Sequence, residues 1–564
     1  MDLLLAQLVA PPVQLGPVRL PETAPIERPR PPSGSQPPAL EVPPGEPPST
    51  PPPTQGTPFP PSAPPPTAEP PRVQGLNRYS PAELRRILAN CLTISDPQKR
   101  LTACAAALTA RLVSDGFVNS RVYVVPTPAP GALQVVEGRL VEVRVEGPDE
   151  RLNRQVRRLV KPLRGQVLNL PSVELSLQRL RNQPGIGSVR GSLTRLGSDV
   201  SQAVFVVRVQ PSTQPWRGDF SLRNDGTSGS GEARAAGTLL KGDLATRGDT
   251  LLLYGEVDGS DAPALGAVIT SVSYTLPLAE QLSLTGAFGY SRRNLIELPD
   301  PADGISTGQL QGLGQLEWVF HESLSQRWSV FAGLSANGSR TRLDGEPLSD
   351  IVPASVRNPR SGYLRLGVSG SGLGRGWAVG GNAYLLQGLG FATPEEQRQE
   401  LSSVGISAGG ATALGTLISG AWSFAPNWQV LLRGGGQVAF RPLTSAMQFT
   451  LGSDVGIRGL PGQLVSGDSG WLGTGELAWS FWQKKLTTLQ LVPFIGAGGI
   501  YTGAAGLSFN DTVGAGGLLL RWLQGSHWST ELGWVETFQT NDNLGPWTTW
   551  LLGKGLYARI QFRF

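Results

Sequence analysis

Through residues 211–564, apolar side chains alternate with small or polar ones at a spacing of two. Trp328, Val330, Ala332 and Leu334 interleave with Ser329, Phe331, Gly333 and Ser335. Near the end, Leu556, Ala558, Ile560, Phe562 and Phe564 interleave with Tyr557, Arg559, Gln561 and Arg563. A spacing of two is the strand period, and an apolar row opposite a small or polar row describes a strand with one face in lipid and one in water. A soluble sandwich would gather such apolar rows into one core and would rarely supply so many evenly spaced strands with glycine and serine opposite. Strands are predicted near 217–225, 232–240, 249–258, 266–276, 281–291, 308–320, 327–337, 361–371, 376–388, 412–424, 428–441, 473–483, 488–500, 511–523, 527–539 and 549–564. Sixteen is an even number and can close a barrel. Short and long connections alternate, as in outer-membrane barrels, and the longest, 442–472, is the sixth on the long side.

Residues 72–210 have a different pattern. Ser80-Pro81-Ala82-Glu83 opens a helix, and Leu101, Cys104, Ala105, Leu108 and Leu112 share one face of a second. Strands follow at Val118–Val125 and from Gly131 onward. The order then repeats with a helix over 151–161, a second helix from Pro171, and strands near 186–193 and 202–209. This predicts two tandem β-α-α-β-β units, at 72–142 and 143–210. Cys91 and Cys104 stand where two antiparallel helices bring them together, so an oxidising compartment would bond them; two free buried thiols are the alternative.

Composition narrows the function. Of 564 residues, 16% are charged and 72 are glycine, less charge and more glycine than the ~25% and ~7% of soluble domains. Two histidines, His321 and His527, and two cysteines are too few for a common four-ligand metal site. No histidine precedes 321 to activate a thiol. Neither an enzyme, a metal nor a cofactor is expected. Gly372-Leu373-Gly374-Arg375-Gly376 lacks the following helix of a nucleotide loop and reads as a barrel turn. Twenty-five prolines fall between Pro11 and Pro71, so 11–71 is read as a disordered linker. Residues 1–10 read as a signal-peptide remnant or a plug helix. Net charge is −3 over 1–71, +11 over 72–210 and −3 over 211–564. The basic excess centres on Arg151, Arg154, Arg157, Arg158, Lys161 and Arg164. It reads as a solvated helix face or as a docking face for polypeptide or anionic lipid. Without interleaved aromatics, nucleic acid is not expected.

The long connection holds Gly452-Ser453-Asp454-Val455-Gly456-Ile457-Arg458-Gly459-Leu460 and then Ser466-Gly467-Asp468. Ile457, Arg458, Gly459 and Leu460 resemble the loop-six V-R-G-Y/F motif of the outer-membrane transporters of two-partner secretion (TpsB, the ShlB/FhaC/HecB type). Ser466-Gly467-Asp468 resembles that family's L-S-G-D. The resemblance covers nearly all of 72–564. It implies a sixteen-stranded transmembrane β-barrel preceded by two POTRA domains, placed in the outer membrane of a Gram-negative-type cell with the POTRA pair in the periplasm. It implies export of an unfolded, β-helix-forming TpsA-like partner. Contacts with bilayer and lipopolysaccharide, assembly by the barrel assembly machinery, and a monomer are implied with it. An assembly factor for other barrels is the alternative, and a passive porin a weaker one because porins need no POTRA units.

Two departures stand out. The family's F-x-D-x-G supplies an aspartate to the loop-six arginine, but here Phe494-Ile495-Gly496-Ala497-Gly498 has glycine in that place. By strand alternation Glu476 and Glu531 face inward, so either is a candidate partner for Arg458. The last strand keeps Phe562 and Phe564 of an assembly signal without its usual glycine.

Overall fold

The computed structural model describes residues 69–564 apart from 77, 129–130, 184, 197–198, 213–215, 247, 261–263, 298–303, 505–506 and 540–544. The expected linker and the 1–10 segment lie outside the described residues, except for 69–71. The chain divides into two compact units, each described by itself, with the division in sequence near residue 213.

The first unit holds two small sheets with the same element order. β1 (Arg72–Gln74), α1 (Pro81–Leu88), α2 (Pro97–Ser114), β2 (Arg121–Val125) and β3 (Ala132–Val136) form a sheet ordered β1-β3-β2. Ser80 and Glu83 cap α1 reciprocally, and the Asp96 carboxylate accepts the Gln98 and Lys99 amides at the start of α2. The apolar stripe of α2, from Leu101 to Leu112, is buried on Leu133 and Val135. β4 (Arg139–Glu146), α3 (Glu150–Val160), α4 (Leu170–Arg181), β5 (Ile186–Leu196) and β6 (Asp199–Pro211) repeat the order in a sheet β4-β6-β5. Phe205, Val156, Leu177 and Leu180 sit in its core. The change of sheet falls at Gly138, a few residues before the expected 142/143 boundary. The β3 and β4 strands read as one apolar run, and only pairing partners separate them.

The second unit is a barrel. Its strands are β7 (Trp216–Arg223), β8 (Ala233–Gly242), β9 (Thr250–Gly259), β10 (Leu265–Pro277), β11 (Leu282–Asn294), β12 (Ile305–Glu322) and β13 (Gln326–Leu343). After the two-residue β14 (Glu346–Pro347) come β15 (Arg360–Gly374), β16 (Trp377–Gly388), β17 (Thr412–Ala425) and β18 (Trp428–Ala439). β19 (Phe449–Leu451) and β20 (Val465–Gly467) belong to a hairpin described below. β21 (Ser469–Lys484), β22 (Thr487–Ala504), β23 (Leu507–Gln524), β24 (Trp528–Gln539) and β25 (Leu556–Arg563) complete the set. Leaving aside β14, β19 and β20, sixteen antiparallel strands among the described residues close through a β25–β7 pairing.

The alternation sorts side chains between two faces. Along β13, Trp328, Val330 and Leu334 are exposed outward while Ser329, Phe331 and Ser335 are buried inward. Exposed apolar rows of this extent mark a lipid-facing wall. Inside stand Arg234, Glu256, Gln315, Arg365, Gln437 and Gln490, all buried. No described helix is long and apolar enough to cross a membrane. Two differences from the sequence reading concern strand ends. β12 and β13 run beyond their expected limits at the long-loop end, because Ser, Thr, Gly and Arg there pair like any other residues once a neighbouring strand is present. The last strand starts at Leu556 rather than 549. Pro546–Thr549 forms a 3-10 turn that buries Trp547, and the Trp550 indole donates to Glu297 Oε1 at 2.8 Å.

Candidate functional site

The connection between β18 and β21, residues 440–468, folds back against the inner face of the barrel. β19 and β20 pair in register from Phe449↔Gly467 to Leu451↔Val465. The tip continues the ladder, with Ser453 N donating to Pro461 O (2.9 Å) and Asp454 N to Gly462 O (3.1 Å). Leu451, Ile457 and Leu460 are fully buried against Phe494, Val513, Leu519 and Val535 of the wall. Removing that much apolar surface from water supplies the non-directional part of the attraction, at about 1.5–3 kcal/mol per large side chain. Asp468 secures the root of the hairpin: its carboxylate accepts the Leu443 amide (3.2 Å), the Gln448 side-chain amide (3.2 Å) and the Gly503 amide (3.2 Å).

Two glycines let the tip reach the wall. Gly456 (φ 106°) ends a 3-10 turn over Ser453–Val455, a conformation that side chains rarely adopt. Gly459 (φ 82°) lies directly on β24.

Between them and the wall, Arg458 enters a ring of alternating charges. Its Nε donates to Glu476 Oε1 at 2.6 Å and its Nη1 to Glu531 Oε2 at 2.6 Å. Arg521, on β23, closes the ring from the other side, with Nε donating to Glu531 Oε1 at 2.6 Å and Nη2 to Glu476 Oε2 at 3.2 Å. Two cations thus share two carboxylates, and all four side chains are largely buried. Tyr557 Oη on β25 stands 3.4 Å from Arg458 Nη1. Opposite charges so close in a confined lumen attract strongly, but removing any one leaves the ring with a net buried charge.

The structure brings Arg458 to both glutamates at once rather than to one of them. Gly496 takes no part: a Cβ there would lie 3.2 Å from Ile457 Cγ2 and 3.0 Å from Thr474 Cγ2, so the motif's own isoleucine covers that stretch of wall. Glu476 pairs with Phe494 in the β21–β22 register and so stands diagonally beside Gly496. Sequence reasoning missed Arg521. Strand alternation alone puts Arg521 on an inward position, but its place opposite Glu531 comes from the β23–β24 register.

The remaining singled-out residues lie elsewhere. Cys91 and Cys104 form a disulfide with Cα atoms 5.2 Å apart. Arg154, Arg157 and Arg158 are exposed on α3, and Arg157 pairs with Glu150 at 3.1 Å. Phe562 packs 4.7 Å from Trp528 and 6.1 Å from Phe564 between ring centroids, on the outward row.

A closed sixteen-stranded barrel carrying an inward hairpin with an arginine at its tip defines a class of outer-membrane transporters. The family model for the haemolysin secretion/activation protein ShlB/FhaC/HecB matches residues 202–517, and the chain belongs to that family. Two relatives are the outer membrane transporters CdiB of Dickeya dadantii (strain 3937) and of Escherichia coli. The first is 24% identical over 405 residues, covering 68% of this chain and 67% of the relative. The second is 24% identical over 463 residues, covering 76% and 72%. The solved structure of CdiB from Escherichia coli superposes with a TM-score of 0.69 at 18% identity, over 91% of this chain and 93% of that one, and shares the fold. The chain is therefore an outer-membrane transporter of two-partner secretion, a family whose members move a secreted partner protein.

Proposed function

We propose that this chain captures an unfolded, β-helix-forming partner with residues 72–210, acting as two POTRA domains in the periplasm, and passes it through the barrel when loop six withdraws. The observation that carries this reading is the ring of Arg458, Glu476, Arg521 and Glu531, which holds an inward hairpin by contacts that a moving loop can make and break as a unit. An exposed edge is available for strand addition at β2, whose Tyr123 and Val125 face solvent. The exposed arginines Arg154, Arg157 and Arg158 supply long-range attraction for a chain of opposite sign. Folding of the partner outside the cell supplies the drive, with no catalytic step in the transporter. Phe562 and Phe564 serve as the signal read by the barrel assembly machinery, and the outward apolar rows meet bilayer and lipopolysaccharide around a monomer.

The test is secretion of a large β-helical protein encoded beside this chain, with Arg458→Ala and the triple charge reversal at Arg154, Arg157 and Arg158. Arg458→Ala is expected to reduce export and alter channel conductance while the barrel still inserts. The triple reversal is expected to weaken capture and its salt dependence. Normal export by both variants would overturn the reading.

A further inference from the structure

The barrel closes through a short pairing. β25 and β7 share register from Arg559↔Arg223 to Arg563↔Asp219, extended by reciprocal Gly218–Phe564 backbone bonds (3.1 and 3.0 Å) and by Asn224 N donating to Ala558 O (3.3 Å), whereas β22 and β23 pair all the way from Thr487↔Gln524 to Ala504↔Leu507. At the Leu556 end, side chains add to this backbone ladder. The Asn224 amide donates to Leu556 O (2.7 Å) and accepts the Ala558 amide (2.8 Å), and the Glu232 carboxylate accepts the Leu551 (3.0 Å) and Leu552 (3.1 Å) amides.

Loop six meets the wall on both sides of this seam. On one side, Arg458 binds groups of β21, β24 and β25. On the other, Asp454 of the same tip forms an ion pair with Arg234 of β8, Nη1 to Oδ1 at 2.7 Å. Both side chains are nearly sealed from solvent, at 1% and 7% exposure. The contact is broader than one pair. Gly462, facing Asp454 across the tip ladder, donates its amide to Gly226 O at 2.9 Å, and Arg293 of β11 donates to Gln463 Oε1 at 2.5 Å. Arg234 also has partners on the wall itself. It donates to Glu256 Oε2 at 2.6 Å and stands 3.9 Å from Asp258 Oδ1, both on the adjacent β9. The wall thus supplies Arg234 with carboxylates of its own, and Asp454 adds the one that comes from the loop. The two anchors also differ in sign, with a carboxylate on the β8 side and a guanidinium on the β21–β25 side, which fixes which way round the tip can sit.

We infer that loop six is an internal staple across the β25–β7 closure, with Asp454–Arg234 as the anchor on the β7 side and Arg458 as the anchor on the β25 side. Seating of the loop and closure of the barrel are thereby one coupled event: whatever expels the loop also loosens the seam. The inference stands apart from the export reading, since it concerns barrel closure in the resting protein.

Hydrogen exchange of the full-length protein in detergent micelles tests it, comparing the parent with Asp454→Asn. Amides of Asp219–Arg223 and Arg559–Arg563 report the seam, and those of β15 and β16 report barrel wall remote from it. Asp454→Asn should speed exchange at the seam about tenfold, equivalent to about 1.4 kcal/mol, and leave β15 and β16 unchanged. Unchanged exchange at the seam, or an equal rise throughout the barrel, would overturn the inference. Should Asp454→Asn not reach the folded form, Asp454→Glu keeps the charge but displaces it by one methylene. That variant should give a smaller rise confined to the same amides, and no rise there would overturn it equally.

Discussion

Gly459 rests so closely on Val535 that a Cβ at position 459 would stand 2.2 Å from Val535 Cγ1. Its φ of 82° adds a second demand for glycine. Gly459→Ala should therefore cost about 2–4 kcal/mol of seating energy, from left-handed strain and overpacking together. Limited proteolysis of the folded barrel should cut within 440–468 faster than in the parent, with the barrel otherwise intact. Equal cleavage would show that the wall yields.

Arg521 is the member of the charge ring that belongs to the wall. Arg521→Gln leaves Glu476 and Glu531 with Arg458 as their remaining ring cation, and should destabilise the barrel by about 3–5 kcal/mol. Arg521→Lys should rescue it poorly, because a single ammonium nitrogen lacks the planar spread by which Nε and Nη2 reach the two carboxylates from separate positions. Heat-modifiable migration on gels reads both, and a parental midpoint for the lysine variant would contradict the forked geometry.

Asn224 gives the seam one donor and one acceptor in the manner of an extra strand residue. Asn224→Ala removes both, at about 1 kcal/mol each. The midpoint of barrel unfolding should fall modestly, with exchange faster at Ala558, whose amide Asn224 accepts, than elsewhere.

The Cys91–Cys104 bond closes a loop of separation 13 within the first unit. Replacing both residues by serine should cost that unit about 3 kcal/mol, the entropy of a loop of this length. Mass spectrometry of the unreduced parent should find the linked peptides, and two free thiols there would remove the claim.

Tyr79 has its phenol pushed up to about 12, first by burial and then by its hydrogen bond to Asp115, 2.6 Å away. Because the folded value lies above the usual 10, the contribution to stability is complete below pH 10 and is lost as pH rises towards 12. Asp115→Ala should lower that ionisation in a spectrophotometric difference titration against the parent. An identical curve would assign the shift to burial alone.

Much of the fold was legible because a lipid-facing strand must alternate, and alternation survives in Trp328–Ser335 and Leu556–Arg563 without any knowledge of neighbours. Where pairing decides, the sequence was silent. The break between β3 and β4 depends on which sheet each joins, and Trp550 falls on the outward row of the expected last strand until the turn that buries it is seen. At the site, the motif pointed to Arg458, and alternation to Glu476 and Glu531. The geometry then needed register: Arg521 enters through its position opposite Glu531. Arg234 meets Asp454 only because a long loop crosses to a strand more than two hundred positions earlier, and no local pattern encodes that.

The central claim is that loop six must leave the lumen for a chain to pass. A Cβ built at Gly496 lies 3.2 Å from Ile457 Cγ2, so Ile457→Cys with Gly496→Cys places two thiols within bonding reach across the loop and wall. Export of the partner should stop when this pair is oxidised and resume on reduction, while the parent, carrying the Cys91–Cys104 bond, exports under both conditions. Undiminished export by a fully cross-linked barrel would contradict the account.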